Sequence, residues 1–259
     1  MKSKLNIWFS ILLVLTITFS SNATVLYVRY TSNEIIISTD SKRTAETGQT
    51  VCVCKVTKIG DTFIASAGLA EYGSFDPKDF ARQAIQSSDK LTEVREKFEQ
   101  LIQQPLIDIL KKVRDRNPSR YGVFKVGAAV NMVFVRFIAG PELAATALTP
   151  RDTDDGSIIL ESHPITLIGP VKRAQRISVG ISRRAEVYLD RPSFWAKGTV
   201  AGVQRVMQLS IEDNRDAGAP IDLVQLTKGS VRWFPREPRC DERSRRIDEQ
   251  SASCDSSKP

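Results

Sequence analysis

Apolar and polar positions divide the chain after residue 24 into short β-branched runs and longer stretches of helical period. Val25–Tyr30 and Glu34–Thr39 flank the polar Thr31-Ser32-Asn33, and together they read as a hairpin. Thr50–Thr57 reads as a third strand, and Gly60-Asp61 turns the chain into a fourth, Thr62–Ala67, which ends at Gly68. The pattern then changes. Asp76-Pro77 opens a helix with Phe80, Ala81 and Ala84 on its apolar side. Leu91 to Val113 carries apolar residues at 91, 94, 98, 101, 102, 106, 107, 109 and 110, close to helical spacing. Pro105 is predicted to kink or split that helix, and Asn117-Pro118 to close it.

Extended runs resume at Ala128–Ile138, Leu143–Leu148, Ile158–Leu160, Pro164–Ile168 and Ile177–Ile181. A further helix is predicted over Phe194–Ile211, with Val200, Val203, Val206, Met207 and Ile211 as its apolar stripe. Pro220–Leu226 and Val231–Phe234 form a last hairpin around Lys228-Gly229. Strands, helices, strands, a helix and a closing hairpin make an α+β order. Two antiparallel sheets packed face to face, with helices on their outer sides, satisfy it. No internal repeat or linker interrupts 24–234, which reads as one domain. From Pro235 onward charge, Ser and Pro dominate, so 235–259 reads as a disordered polar tail.

The first residues follow a different rule. Lys2 and Lys4 precede an apolar stretch from Ile7 to Phe19, and Ser20, Ser21, Asn22 and Ala23 form a small, polar border. That order is the pattern of a secretory signal peptide, and the apolar run is short for a membrane span. Small residues one and three before the cut favour cleavage after Ala23, leaving Thr24 as the first residue. The mature chain is then expected outside the cytoplasm, periplasmic or extracellular, with no stable membrane span. Losing residues 1–23 lowers the formal charge of +7 by two. The basic run Arg243, Arg245 and Arg246 is interleaved with Asp241, Glu242, Asp248 and Glu249, and no aromatic stacking platform accompanies the charge. Nucleic-acid binding is therefore not expected.

Four cysteines are present: Cys52, Cys54, Cys240 and Cys254. An exported chain can pair them, but their connectivity is not legible, and reduced buried thiols are the alternative. Positions 240 and 254 lie too far apart for a zinc site with Cys52 and Cys54. His163, the only histidine, cannot join a multi-histidine metal cluster.

An N-terminal threonine has chemistry that an internal one lacks. Its hydroxyl is a nucleophile, and its own α-amine, with an ordinary pKa of about 8, can accept the proton. Such a site also needs a cation, an acid to hold the cation, and a backbone N–H for the oxyanion. Asp40, Lys55 and Gly68 offer the acid, the cation and the N–H, on the second, third and fourth strands. Lys58 is the competing lysine if the register shifts. No cofactor is required.

Thr24-Val-Leu-Tyr-Val-Arg-Tyr30 and Ile35-Ile-Ile-Ser-Thr-Asp40-Ser-Lys-Arg-Thr44 resemble the start of a proteasome β subunit or the related bacterial ATP-dependent peptidase. In those proteins an Asp follows the nucleophile at the same spacing. Cys54-Lys55-Val56 and Ile64-Ala-Ser-Ala-Gly68 are similar to the family's lysine strand and oxyanion turn. Ala219-Pro-Ile-Asp-Leu-Val224 with Gly229-Ser-Val-Arg-Trp233 is similar to its closing hairpin. The resemblance implies a four-layer αββα sandwich of the N-terminal-nucleophile hydrolase type. It implies Thr24 as nucleophile and base, Lys55 as the pKa-lowering cation, Asp40 as its partner and the Gly68 N–H as oxyanion donor. Asp216 and Ser182 are candidates for the family's supporting acid and serine, although Gly218 and Ala219 stand where another serine is expected. Ala23 replaces the family's usual Gly before the Thr, so signal cleavage takes the place of self-cleavage.

The activity implied is amide-bond hydrolysis on peptides, by a threonine-type peptidase. With no ATP expected in an exported compartment, small peptides or amides cleaved by a simple homo-oligomer fit better than an ATPase-fed ring. Two alternatives share the fold: an inactive binding or structural member, and an amidase for non-peptide acyl amides.

Overall fold

The computed structural model describes residues 18–19, 24–44, 50–69, 72–214 and 217–234. The leader read at 1–23 (apart from Thr18–Phe19), Asp216 and the tail at 235–259 lie outside the described residues.

Thirteen strands and five α-helices are described. Strands β1 (Thr18–Phe19), β2 (Leu26–Tyr30), β3 (Glu34–Asp40), β4 (Lys42–Thr44), β5 (Thr50–Cys52), β6 (Val56–Ile59) and β7 (Thr62–Gly68) come first. Helices α1 (Pro77–Ser87), α2 (Leu91–Arg116) and α3 (Pro118–Val126) follow, and then β8 (Val130–Phe137), β9 (Pro141–Asp152), β10 (Ile158–Ile168) and β11 (Gln175–Val179). Helices α4 (Arg183–Leu189) and α5 (Thr199–Asp213) precede the closing β12 (Ile221–Thr227) and β13 (Ser230–Trp233).

One sheet has the strand order β1-β11-β2-β3-β12-β13 and the other β10-β9-β8-β7-β6, while β4 and β5 form a small ribbon. Within the two large sheets every pairing is antiparallel except that of β1 with β11. The fold is therefore α+β, with two antiparallel sheets face to face between helix layers.

The apolar pattern explains the layers. Side chains alternate faces along a strand, yet Ile35, Ile36 and Ile37 of β3 are all buried. Ile35 and Ile37 pack between the sheets, with Val28, Phe63, Val133, Val135 and Val224. Ile36 faces the other way, onto Val203, Val206 and Met207 of α5. On the second sheet, Val130, Met132 and Phe134 of β8 face Phe98, Ile102 and Leu110 of α2. Both sheets are covered on both faces, so their inner strands read as continuous apolar runs. Each fully buried Ile, Val or Phe contributes about 1.5–3 kcal/mol.

Several elements depart from the expectations. α2 runs unbroken from Leu91 to Arg116 with Pro105 inside it. One lost backbone bond is outweighed by ten residues buried along that helix, Phe98, Ile102, Leu106 and Leu110 among them. Asn117 ends α2 and also begins α3, its side chain accepting the Arg120 N–H. Helices α3 and α4 are additional to the sequence reading. The two fragments predicted at Ile158–Leu160 and Pro164–Ile168 are one strand, β10, paired along β9 from Ile158↔Asp152 to Ile168↔Glu142. The third predicted strand is interrupted: β5 ends at Cys52 and β6 begins at Val56, so Lys55 sits in the link between them.

Candidate active site

Strand register brings one end of both sheets together. Leu26 of β2 lies opposite Thr39 of β3, which sets Thr24 beside the C-terminal end of β3. The Asp40 N–H donates to the Val25 carbonyl at 3.0 Å, and the Val25 N–H donates back to Asp40 Oδ1 at 2.9 Å. Asp40 ends its strand because its carboxylate is spent on its neighbour's backbone. On the facing sheet, β6 starts at Val56, paired with Ala65 of β7, so the lysine link enters at the same end.

Lys55 crosses from that link to the first sheet. Its Nζ donates to Thr24 Oγ1 at 3.1 Å and to Asp40 Oδ1 at 2.9 Å. All three are buried: Thr24 and Lys55 are 3% exposed and Asp40 is 0%. Asp40 Oδ2 accepts the Gly218 N–H at 3.2 Å. Burial pushes the Asp40 carboxyl above the usual carboxylate range, while the Lys55 charge and the amides of Val25 and Gly218 pull it down. A buried pair of this kind adds little net stability over an apolar isostere, but it fixes geometry and punishes removal of one partner.

The two candidate lysines differ in place. Lys58 lies on β6, partly exposed, with its Nζ 5.9 Å from the centre of the Phe63 ring. Lys55 makes the contacts to Thr24 and Asp40.

Gly68 closes β7 with φ +97°, and a Cβ there would lie 2.5 Å from the Ala129 carbonyl oxygen. Only glycine fits that close approach. Ser182 caps α4 instead of joining Thr24. Its hydroxyl accepts the Ala185 N–H at 3.1 Å, and its own N–H donates to Ser210 Oγ at 3.2 Å. Asp216, the other supporting candidate, lies outside the described residues.

Three contributors escaped the sequence reading. Asp222, second residue of β12 and 3% exposed, accepts the Lys55 backbone N–H at 2.9 Å. Gly218 supplies the amide on Asp40. Lys78, near the start of α1, donates to the Cys54 carbonyl at 2.6 Å. The one signal for Asp222 was a lone acid inside the apolar run Ile221–Val224. Cys54 is disulfide-bonded, which removes the reduced-thiol alternative for it; its partner falls outside the described side chains. Among the described residues no group of three or more His, Cys, Asp or Glu is arranged to hold a metal, and no helix is long and apolar enough to cross a membrane.

Chemically, the cluster offers a hydroxyl at a strand start, an ammonium touching it, and a carboxylate fixing the ammonium. No family model matches the chain, and no curated protein matches it. Among solved structures it is similar to the Anbu (Gly-1) mutant from Hyphomicrobium sp. strain MC1, at 14% identity and TM-score 0.46, over 82% of this chain and 86% of that one.

Proposed function

We propose that the chain is an exported amide-bond hydrolase of the proteasome β-subunit type, a threonine peptidase whose nucleophile is the hydroxyl of Thr24. The observation that carries this reading is the bridging of Thr24 Oγ1 and Asp40 Oδ1 by one buried ammonium, that of Lys55. In the proposed organisation residues 1–23 are removed on export, 24–234 are the catalytic domain, and 235–259 are a polar tail.

While Ala23 is attached, the nitrogen of Thr24 is a peptide nitrogen and cannot act as a base. Cleavage converts it to an amine. The Thr24 hydroxyl then attacks the substrate carbonyl as its proton passes to that amine. The Gly68 N–H stabilises the oxyanion. The amine returns the proton to the leaving nitrogen as the C–N bond breaks, which leaves an ester on Thr24. Water hydrolyses the ester with the same amine as base. The Lys55 cation disfavours a second positive charge beside it, so it favours the unprotonated amine from which the reaction starts. Small peptides or amides are the proposed substrates and a homo-oligomer the proposed assembly.

A peptide epoxyketone tests the reading, because it closes a ring only on a residue that carries both a hydroxyl and a free amine. Mass spectrometry of exported protein should find Thr24 at the N-terminus and the adduct on that residue, and Thr24→Ala should lose both adduct and hydrolysis. A mature start elsewhere, or full hydrolysis by Thr24→Ala, overturns the proposal.

A further inference from the structure

We propose that Asp222 is a positioning residue for Lys55, holding the lysine at the distance from which its ammonium reaches Thr24. The proposal rests on the reading of Thr24 as nucleophile.

Residues 53–55 belong to no strand, so no ladder holds them in register. Contacts from elsewhere do. The Val53 N–H donates to the Ser41 carbonyl at 2.9 Å, and the Cys54 carbonyl accepts Lys78 Nζ at 2.6 Å. The third contact falls on the lysine itself, from its N–H to Asp222 Oδ2 at 2.9 Å. Asp222 comes from β12, in the sheet that also carries Thr24 and Asp40, whereas the chain after Lys55 enters the opposite sheet. Register ties β12 closely to the site, with Ile221 opposite Asp40 and Asp222 opposite Thr39. The Asp222 carboxylate therefore sets the backbone of Lys55 against the same strand that presents Asp40. It ties the two sheets together at the point where the ammonium must bridge them.

Packing alone does not call for an acid here. Asp222 is followed by Leu223 and Val224, buried at 2% and 0%, and is itself 3% exposed. An isolated carboxylate in such surroundings is costly unless it accepts hydrogen bonds. A carboxylate accepting a backbone N–H is a strong, charge-assisted contact that fixes distance. Without it the backbone of Lys55 loses its direct tie to β12, and a misplacement of about 1 Å in a catalytic group costs about 100-fold in rate.

The test measures adduct formation on Thr24 by a peptide epoxyketone, using mature protein and counting only folded molecules. The maximal inactivation rate is separated from the half-saturating concentration. Asp222→Ala should lower the rate about 100-fold and change half-saturation less than about threefold. Asp222→Asn, which keeps an oxygen acceptor, should stay within about tenfold of the wild type. In a Lys55→Met background, Asp222→Ala should add less than about threefold, because the group it positions is already gone. Independent, multiplying losses overturn the proposal. So does an Asn variant as damaged as Ala, or a loss confined to half-saturation. If Asp222→Ala does not fold, Asp222→Asn alone and combined with Lys55→Met decides by the same criteria. A wild type that forms no adduct overturns the nucleophile reading along with this one, whereas additive variants of an adduct-forming wild type overturn only the positioning role.

Discussion

Replacing Lys55 with Met should destabilise the mature protein by an amount that depends on pH, and replacing Lys58 with Met should not. Lys55→Met keeps the length and apolar stem of the side chain but removes the ammonium 2.9 Å from Asp40 Oδ1. Asp40 is completely buried, so as an anion it is left with the amides of Val25 and Gly218 alone. Breaking a buried pair from one side costs about 3–5 kcal/mol. That cost belongs to the charged form. The folded-state pKa of Asp40 is already raised by burial, and removing Lys55 takes away the largest influence lowering it. A carboxyl with a raised folded-state pKa contributes stability at low pH that is lost as pH rises through that value. The deficit of Lys55→Met relative to wild type should therefore be largest near neutrality and shrink as the pH falls and Asp40 takes up its proton. Lys58 gives the control. Its side chain is partly exposed, with Nζ 5.9 Å from the centre of the Phe63 ring, a contact worth about 0.5–1 kcal/mol. Urea unfolding of the mature wild type and both variants at pH 7 and pH 5 measures the differences. A deficit for Lys55→Met that stays below about 1 kcal/mol at pH 7 refutes the buried pair. A large deficit that is equal at both pH values refutes the linkage to Asp40.

Gly68→Ala should destabilise the fold by about 2–4 kcal/mol, since φ +97° strains an alanine and its Cβ would lie 2.5 Å from a backbone carbonyl. Equilibrium unfolding reads it, and a change under about 1 kcal/mol shows that the β7 end is not held against Ala129 as described. Asn131, 3% exposed, has both amide atoms without hydrogen-bond partners, so Asn131→Leu should raise the melting temperature by a few degrees, for a gain of about 1–3 kcal/mol. An unchanged or lower melting temperature identifies a bound water or a steric constraint at that position.

Legibility in the sequence followed from how local each cause is. The hairpin of β2 and β3, the long α2, α5 and the closing hairpin were readable because their apolar periodicity records which face is buried. Helices α3 and α4 were not, because they are short and begin at single capping residues, Asn117 and Ser182, whose caps are visible only in three dimensions. β10 looked like two fragments because the polar Glu161, Ser162 and His163 occupy its middle, on an edge strand with partly exposed side chains. Of the site, Thr24 and Asp40 could be placed because they stand at the two ends of one hairpin, so their spacing encodes their meeting. Lys55 could be named but not distinguished from Lys58 until the break after Cys52 set its register. Asp222 reaches Lys55 across 167 positions, and nothing in its neighbourhood points to that contact.

Gly218 shows the same limit from the opposite side. Read as a motif, a glycine where a serine is expected looks like a loss from the site. Its recorded contact with Asp40, however, is made by a backbone N–H, which every residue except proline supplies. The hold on Asp40 is therefore indifferent to the missing hydroxyl, and only a change in the path of the chain removes it. A Cβ at 218 would meet the Lys42 side chain, its Cδ at 2.9 Å and its Cβ, fixed to the backbone, at 3.1 Å, so either Lys42 or the chain at 218 must give way. Serine at 218 accordingly keeps the amide on Asp40 only where Lys42, rather than the chain, gives way. Whatever a hydroxyl would add there is separate from the bridge among Thr24, Lys55 and Asp40, which stands on contacts this chain retains.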